Sequence, residues 1–145
     1  MGLMDGMPAI YAVQAEGSDA VCRAVERGDF GDPIPSSTTA DSICVDVPRN
    51  GYRALAYLRE YGGRCVRVSD GEILAAQHEL ASSAGVFAEP AAAAAYAGLL
   101  SSRDGLDRNA EIVILITGNG LKDIISAEKS IEFPEKTVSN IEELF

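Results

Sequence analysis

Lysine, histidine, cysteine and tryptophan are all scarce in this sequence. Among its 145 residues there is one histidine (His78), there are three cysteines (Cys22, Cys44 and Cys65), and there is no tryptophan. So few and so widely spaced ligands exclude a Cys/His zinc pattern. An odd number of cysteines, none close to another in the sequence, indicates free thiols, and we therefore expect a protein of the reducing cytoplasm.

Positive charge is also scarce. Twelve Lys and Arg against 22 Asp and Glu leave a net charge of -10, and the three lysines (Lys122, Lys129 and Lys136) form no cluster. Binding to nucleic-acid phosphates needs clustered Lys and Arg, so we expect no nucleic-acid partner.

No apolar run approaches the roughly 20 residues that span a bilayer, and the N terminus lacks a charged region followed by an apolar core. We therefore expect no membrane segment and no secretory signal.

The sequence does contain the material for a packed core, since 47% of its residues are hydrophobic. Short β-prone segments alternate with helical patterns. We predict strands over residues 9–15, 42–47, 65–68 and 111–116, and helices over 19–27, 52–61, 70–83 and 90–100. This alternation favours an α/β fold with three layers, in which a mostly parallel sheet is flanked by helices. We assign residues 1–130 to one domain and 131–145 to a tail, in which 139–145 has the pattern of a short amphipathic helix.

Local signals support several of these boundaries. Ser18 is a suitable N-cap for the first helix, and Gly28 is a suitable stop. Ser69 and Glu72 have the spacing of a capping box at the start of the helix over 70–83. His78 lies within that helix, and we expect it on the surface.

The apolar run at 111–116 ends in Thr117-Gly118-Asn119-Gly120 and is followed by a helix-like start. In open α/β sheets, ligands bind beyond the carboxyl ends of strands, and glycine lets the backbone approach a ligand closely. The pattern is weak by itself, because a dinucleotide fingerprint needs a third glycine where Asp123 stands, and no P-loop spacing is present. A plain strand-to-helix turn is the alternative.

A set of segments that follow one another along the chain carries a family resemblance. They cover residues 10–17, 39–43, 68–73, 85–94 and 117–123, and the last reads Thr-Gly-Asn-Gly-Leu-Lys-Asp. In their order and spacing they resemble the threonine synthases, which are pyridoxal 5′-phosphate enzymes with the tryptophan synthase β-like fold. Related dehydratases usually carry Ser-Gly-Gly-Asn at the last segment, so the threonine synthases are the better match. The resemblance implies that the chain forms the C-terminal part of this fold.

The resemblance also implies roles for five residues. Thr117 would face the pyridine nitrogen of the cofactor, Gly118 and Glu89 would lie beside the cofactor ring, and Thr39 and Ala40 would wall the substrate pocket. Each role has a structural alternative. Thr117 suits the end of a strand, Glu89 suits a helix start because of the macrodipole, and the segment around Thr39 suits a turn.

The resemblance also raises the question of a metal site in the turn at residues 16–22. Some dehydratase and racemase relatives hold a cation in the turn that matches residues 16–22. Glu16 and Ala20 fit that pattern, but Cys22 replaces the next carboxylate and is a poor ligand for a hard cation. We therefore expect no metal site here.

Two parts of the threonine synthase pattern have no counterpart in this sequence: the Schiff-base lysine and the loop that cradles the cofactor phosphate. We therefore expect a C-terminal portion of an enzyme that converts O-phosphohomoserine to threonine and phosphate. Alone, it should be inactive and should not hold the cofactor stably. Its expected partner is the N-terminal part of the same enzyme, and without it we expect self-association through exposed apolar surface. The alternatives are a threonine or serine dehydratase fragment and a stand-alone, non-catalytic binding module of the same fold.

Overall fold

The computed structural model describes residues 6–129, 131 and 138–144. Its strands and α-helices, in chain order, are β1 (Tyr11–Ala15), α1 (Ala20–Arg27), α2 (Gly51–Glu60), β2 (Arg64–Val68), α3 (Asp70–Ala84), α4 (Pro90–Ser102) and α5 (Ile124–Glu128). Short 3₁₀ turns lie at Asp41–Ile43, Arg103–Gly105, Gly120–Lys122 and Ile141–Leu144. None of the helices in these residues is long and apolar enough to cross a bilayer.

The sheet consists of β1 and β2, which pair in parallel with Val13 opposite Val66 and Ala15 opposite Val68. Because side chains alternate along a strand, these valines share one face of the sheet. That face packs against α4, and α1 packs against the opposite face. The predicted α/β fold, a parallel sheet flanked by helices, is therefore confirmed.

The main core lies between the sheet and the helices α3 and α4. Val68 and Ile73 are fully buried there, together with alanines of α4. Small side chains let α4 approach the sheet closely: a methyl group at Gly98 would overlap the side chain of Val13. The alanine-rich sequence thus determines the distance between helix and sheet.

Helix boundaries follow local chemistry, with one exception. Ser18 is not the N-cap of α1: Asp19 has that position, and the Ser18 hydroxyl bonds to Ile43 and Val45 instead. Gly28 ends α1 in the left-handed conformation with φ of 97°, which glycine adopts without strain. The predicted capping box at α3 is present: the Ser69 hydroxyl accepts from the Glu72 N–H, and the Glu72 carboxylate accepts from the Ser69 N–H. The Ser69 backbone N–H and then its hydroxyl lower the pKa of Glu72.

Two predicted strands are wrong. Residues 42–47 form the end of a 3₁₀ turn and a loop, in which the Ser18 hydroxyl donates to Ile43 O (2.8 Å) and accepts from Val45 N (3.0 Å). A side chain thus satisfies the backbone groups that a ladder would have used. Residues 111–116 have no strand partner in the described part of the chain, and Val113 is 83% exposed.

The tail differs in part from its prediction. A 3₁₀ turn at Ile141–Leu144 takes the place of the amphipathic helix expected over 139–145. The last residue of that prediction lies outside the described residues. His78 is exposed on α3, as expected.

Candidate functional site

The glycine-rich turn at 117–120 lies against the residues that lead into α4. Asn119 forms an antiparallel bridge with Ala88. The Glu89 N–H donates to Gly118 O (3.0 Å), and the Gly120 N–H donates to Phe87 O (2.8 Å). Backbone hydrogen bonds thus join two segments that are far apart in sequence, since Glu89 and Gly118 are separated by 29 positions.

Close approach explains both glycines of this turn. A methyl group at Gly118 would overlap the carboxylate of Glu89, and one at Gly120 would lie 2.6 Å from the Phe87 ring. Neither glycine has a positive φ. In this structure the close neighbours of the two glycines are therefore protein side chains.

Glu89 is the buried charge of the site. Its side chain is 8% exposed, and its Oε2 lies 3.0 Å from the Lys122 Nζ. The Ser42 Oγ donates to the same oxygen (3.3 Å), and the Lys122 Nζ also donates to Ser42 Oγ (2.6 Å). A buried carboxylate without a partner would be costly, so this lysine and this hydroxyl offset the cost of burying Glu89 at the start of α4.

The loop before the 3₁₀ turn at Asp41–Ile43 is tied to α3. Thr38 Oγ1 donates to Asp70 Oδ1 (2.5 Å), and the Thr39 N–H donates to Asp70 Oδ2 (2.9 Å). Ala40 is fully buried and belongs to the main core. Thr39 Oγ1 is buried and has no hydrogen-bond partner among the described residues, which leaves one polar group that a ligand or water can satisfy.

The structure brings some of the predicted site residues together. Gly118 touches Glu89, and Thr117 precedes this contact with an exposed side chain that makes no hydrogen bond within the described part of the chain. Thr39 and Ala40 lie on the loop whose continuation, Ser42, reaches Glu89. A shallow depression beside this cluster is lined by Asp41, Ser42, Glu89, Pro90, Ala91, Lys122 and Asp123.

Three residues of this arrangement were not predicted: Ser42, Lys122 and Asp70. Ser42 and Lys122 lie inside two of the segments that carry the resemblance, but nothing in the sequence pairs them with Glu89. Asp70 reads as a helix-start residue, and its carboxylate instead holds the loop through Thr38 and Thr39.

The turn at 16–22 contains ion pairs. Asp19 lies 2.7 Å from Arg23 and 2.8 Å from Arg67. Burial raises the pKa of Asp19, but hydrogen bonds and charge from Arg67 and Arg23 outweigh burial, so the pKa is lowered. Within residues 6–129, 131 and 138–144, no group of three or more His, Cys, Asp or Glu is arranged to hold a metal ion.

Comparison with protein families gives one match over most of the chain. The family model described as "Pyridoxal-phosphate dependent enzyme" matches residues 1–118. Among curated proteins, the chain is 36% identical over 98% of its length to a threonine synthase of Methanosarcina acetivorans. It is 36% identical over 99% of its length to one of Mycobacterium leprae, and 40% identical over 85% to one of Synechocystis. The resemblance to threonine synthases is thereby confirmed.

Solved structures show the same fold. Threonine synthase from Escherichia coli superposes with a TM-score of 0.66 at 24% identity, covering 90% of this chain and 32% of that one. Maize serine racemase gives a TM-score of 0.66 at 20% identity, covering 77% of this chain and 34% of that one. The chain spans 36%, 40% and 31% of the three curated relatives named above.

Proposed function

The chain belongs to the pyridoxal-phosphate dependent enzyme family, and we propose that it is the C-terminal portion of a threonine synthase-like enzyme of the cytosol. The parent enzyme would convert O-phosphohomoserine to threonine and phosphate. The observation that carries the proposal is the turn at 117–120, whose Thr-Gly-Asn-Gly sequence lies against Glu89 at the start of α4. The curated relatives that match nearly the whole chain support the same assignment.

The residues of the turn fit the ring end of the cofactor. Pyridoxal phosphate, when bound, supplies an electron sink for carbanion chemistry. Thr117 would hold the pyridine nitrogen, because its side chain is exposed and unengaged within the described residues. A hydroxyl accepts or donates one hydrogen bond without a charge, so it leaves the ring nitrogen neutral where a carboxylate would keep it protonated.

Gly118 and Glu89 would lie beside the ring, and Thr39 and Ala40 on the substrate side. The contact between Gly118 and Glu89 keeps the turn close to α4, which favours a fixed direction for Thr117. The unpaired hydroxyl of Thr39 is suited to accept or donate a hydrogen bond to a polar substrate group. Ala40 would act through packing, since its side chain is buried.

We assign no covalent role to the lysines of this chain. Lys122 is engaged with Glu89 and Ser42, so its amine is held in an ion pair. A nucleophilic lysine needs a free amine in an apolar site, whereas the Lys122 amine is paired with a carboxylate and bonded to a hydroxyl. The attachment lysine and the phosphate-binding loop would therefore belong to the remaining part of the enzyme, and this chain alone would be inactive.

Borohydride reduction tests the absence of the attachment lysine. The purified chain is mixed with equimolar pyridoxal phosphate, reduced and weighed by mass spectrometry. We expect no single-site, stoichiometric adduct, because Lys122 is ion-paired and Lys129 is an exposed amine. A stoichiometric adduct mapped to one lysine would contradict the proposal and make this a self-sufficient cofactor protein.

A further inference from the structure

Cys22 and Cys65 both lie on the side of the sheet that packs against α1, away from the site described above. Cys65 is paired opposite Ala12 in the sheet, so it points to the face opposite Val66 and Val68. Cys22 lies on α1, and its backbone N–H donates to the Gln14 side chain from that same face (2.9 Å). The Cys22 thiol lies 3.9 Å from Val66 O, the carbonyl next to Cys65 in sequence.

Ion pairs hold α1 in this position. Arg67, two residues after Cys65 on the same face of β2, contacts Asp19 (2.8 Å) and both carboxylate oxygens of Glu26 (2.5 and 2.9 Å). Asp19 and Glu26 lie about one helical turn before and after Cys22. Arg67 therefore fixes α1 over β2 on both sides of Cys22, and the Cys22 thiol is held against β2 beside Cys65.

The two thiols differ in access and in acidity. Cys22 is fully buried, whereas Cys65 is half-buried. The hydrogen bond from Cys22 lowers the pKa of Cys65, burial opposes this, and the charge of Arg67 adds to the lowering. The same hydrogen bond, together with burial, raises the pKa of Cys22. Cys65 is thus the more accessible and more acidic thiol, and Cys22 beside it is protected. Reactive and resolving cysteines are arranged in this way.

We propose that Cys65 is a redox modification site and that Cys22 is its resolving partner. A hydroperoxide would oxidise the Cys65 thiolate to a sulfenic acid, and the hydroperoxide O–O bond would break. The Cys22 sulfur would then attack the Cys65 sulfur, displace water and form a disulfide. Overall, two thiols lose two electrons and two protons, and hydrogen peroxide is reduced to two waters. The product joins α1 to β2 covalently, and it depends on neither the cofactor nor the rest of the enzyme.

Peroxide oxidation of the intact chain tests this proposal directly. The reduced chain is treated with hydrogen peroxide, alkylated and digested with trypsin, which places Cys22, Cys44 and Cys65 in separate peptides (1–23, 28–49 and 65–67). We expect a disulfide between the first and third peptides, lighter by two hydrogen atoms, and an alkylated Cys44. Oxidation of Cys44 as fast as Cys65, or only intermolecular disulfides, would overturn the proposal.

Single variants separate the roles of the two thiols. In C22S, dimedone should trap Cys65 as the sulfenic acid, because the resolving thiol is gone. In C65S, Cys22 should stay reduced at the same peroxide dose, whereas C44S should form the disulfide at the rate of the unaltered chain. Equal peroxide sensitivity of Cys22 in C65S and in the unaltered chain would contradict the assignment. The unaltered chain decides the question by itself if a serine variant does not fold.

Discussion

At the scale of single residues, the site depends on how tightly Gly118 is pressed against Glu89. The Glu89 carboxylate is buried, and it is neutralised by Lys122 and hydrogen-bonded by Ser42. Any side chain at Gly118 would displace this carboxylate from its partners. A buried carboxylate that loses its partners costs more than a lost surface contact, because its desolvation is no longer offset.

Gly118→Ala should therefore lower the free energy of unfolding by about 1–3 kcal/mol, the usual range for overpacking and loss of a buried pair. Gly105→Ala is the matched control, because nothing lies within 4 Å of a methyl group at Gly105. Urea titration followed by circular dichroism measures both changes. Equal stability of the two variants would show that the contact between Gly118 and Glu89 does not form.

The sequence was sufficient to predict some residues of the site but not the contacts between them. The turn at 117–120 and Glu89 were identified from short local patterns and from the resemblance. Their contact, the pair between Glu89 and Lys122, and the bonds from Asp70 to the loop link residues that lie 29–33 positions apart. No local pattern encodes such links, because they exist only once the segments have folded against each other.

At the scale of elements, a predicted strand is correct where it has a pairing partner in the described residues and wrong where it has none. The predictions of β1 and β2 were correct because each strand finds its hydrogen-bonding partner in the other. The prediction of α3 was correct because its capping box is a local signal. The run at 111–116 has a stronger apolar pattern than either strand. It nevertheless has no partner among the described residues, because a strand needs the hydrogen bonds of a neighbour that local sequence does not supply.

The exposed run at 111–116 leads to a prediction about association. Val113, Leu115 and Ile112 are 83%, 72% and 50% exposed, so the isolated chain should self-associate through this run. Val113→Lys should shift the chain toward monomer, measured by size-exclusion chromatography with light scattering. Val47→Lys, at a valine that is 60% exposed in a loop, should leave association unchanged. A monomeric unaltered chain at high concentration would contradict this prediction.

At the scale of the whole molecule, the chain matches only part of the length of its curated relatives. It spans 36% of the Methanosarcina acetivorans threonine synthase that it matches over 98% of its own length. Its two-stranded sheet, its exposed run at 111–116 and its exposed Thr117 are what we expect of a segment whose remaining sheet and cofactor site are supplied by another part of the protein. Composition and alternation of elements were sufficient to predict the fold class, since both depend on local sequence.

Reconstitution tests the central claim most directly: the chain is co-expressed with the N-terminal part of the Methanosarcina acetivorans threonine synthase, and phosphate release from O-phosphohomoserine is measured. We predict pyridoxal phosphate-dependent release that falls roughly tenfold in Thr117→Val, the effect of losing about one hydrogen bond at the ring nitrogen. The chain without its complement is the blank. A folded complex that releases no phosphate, or that instead deaminates threonine, would contradict the account.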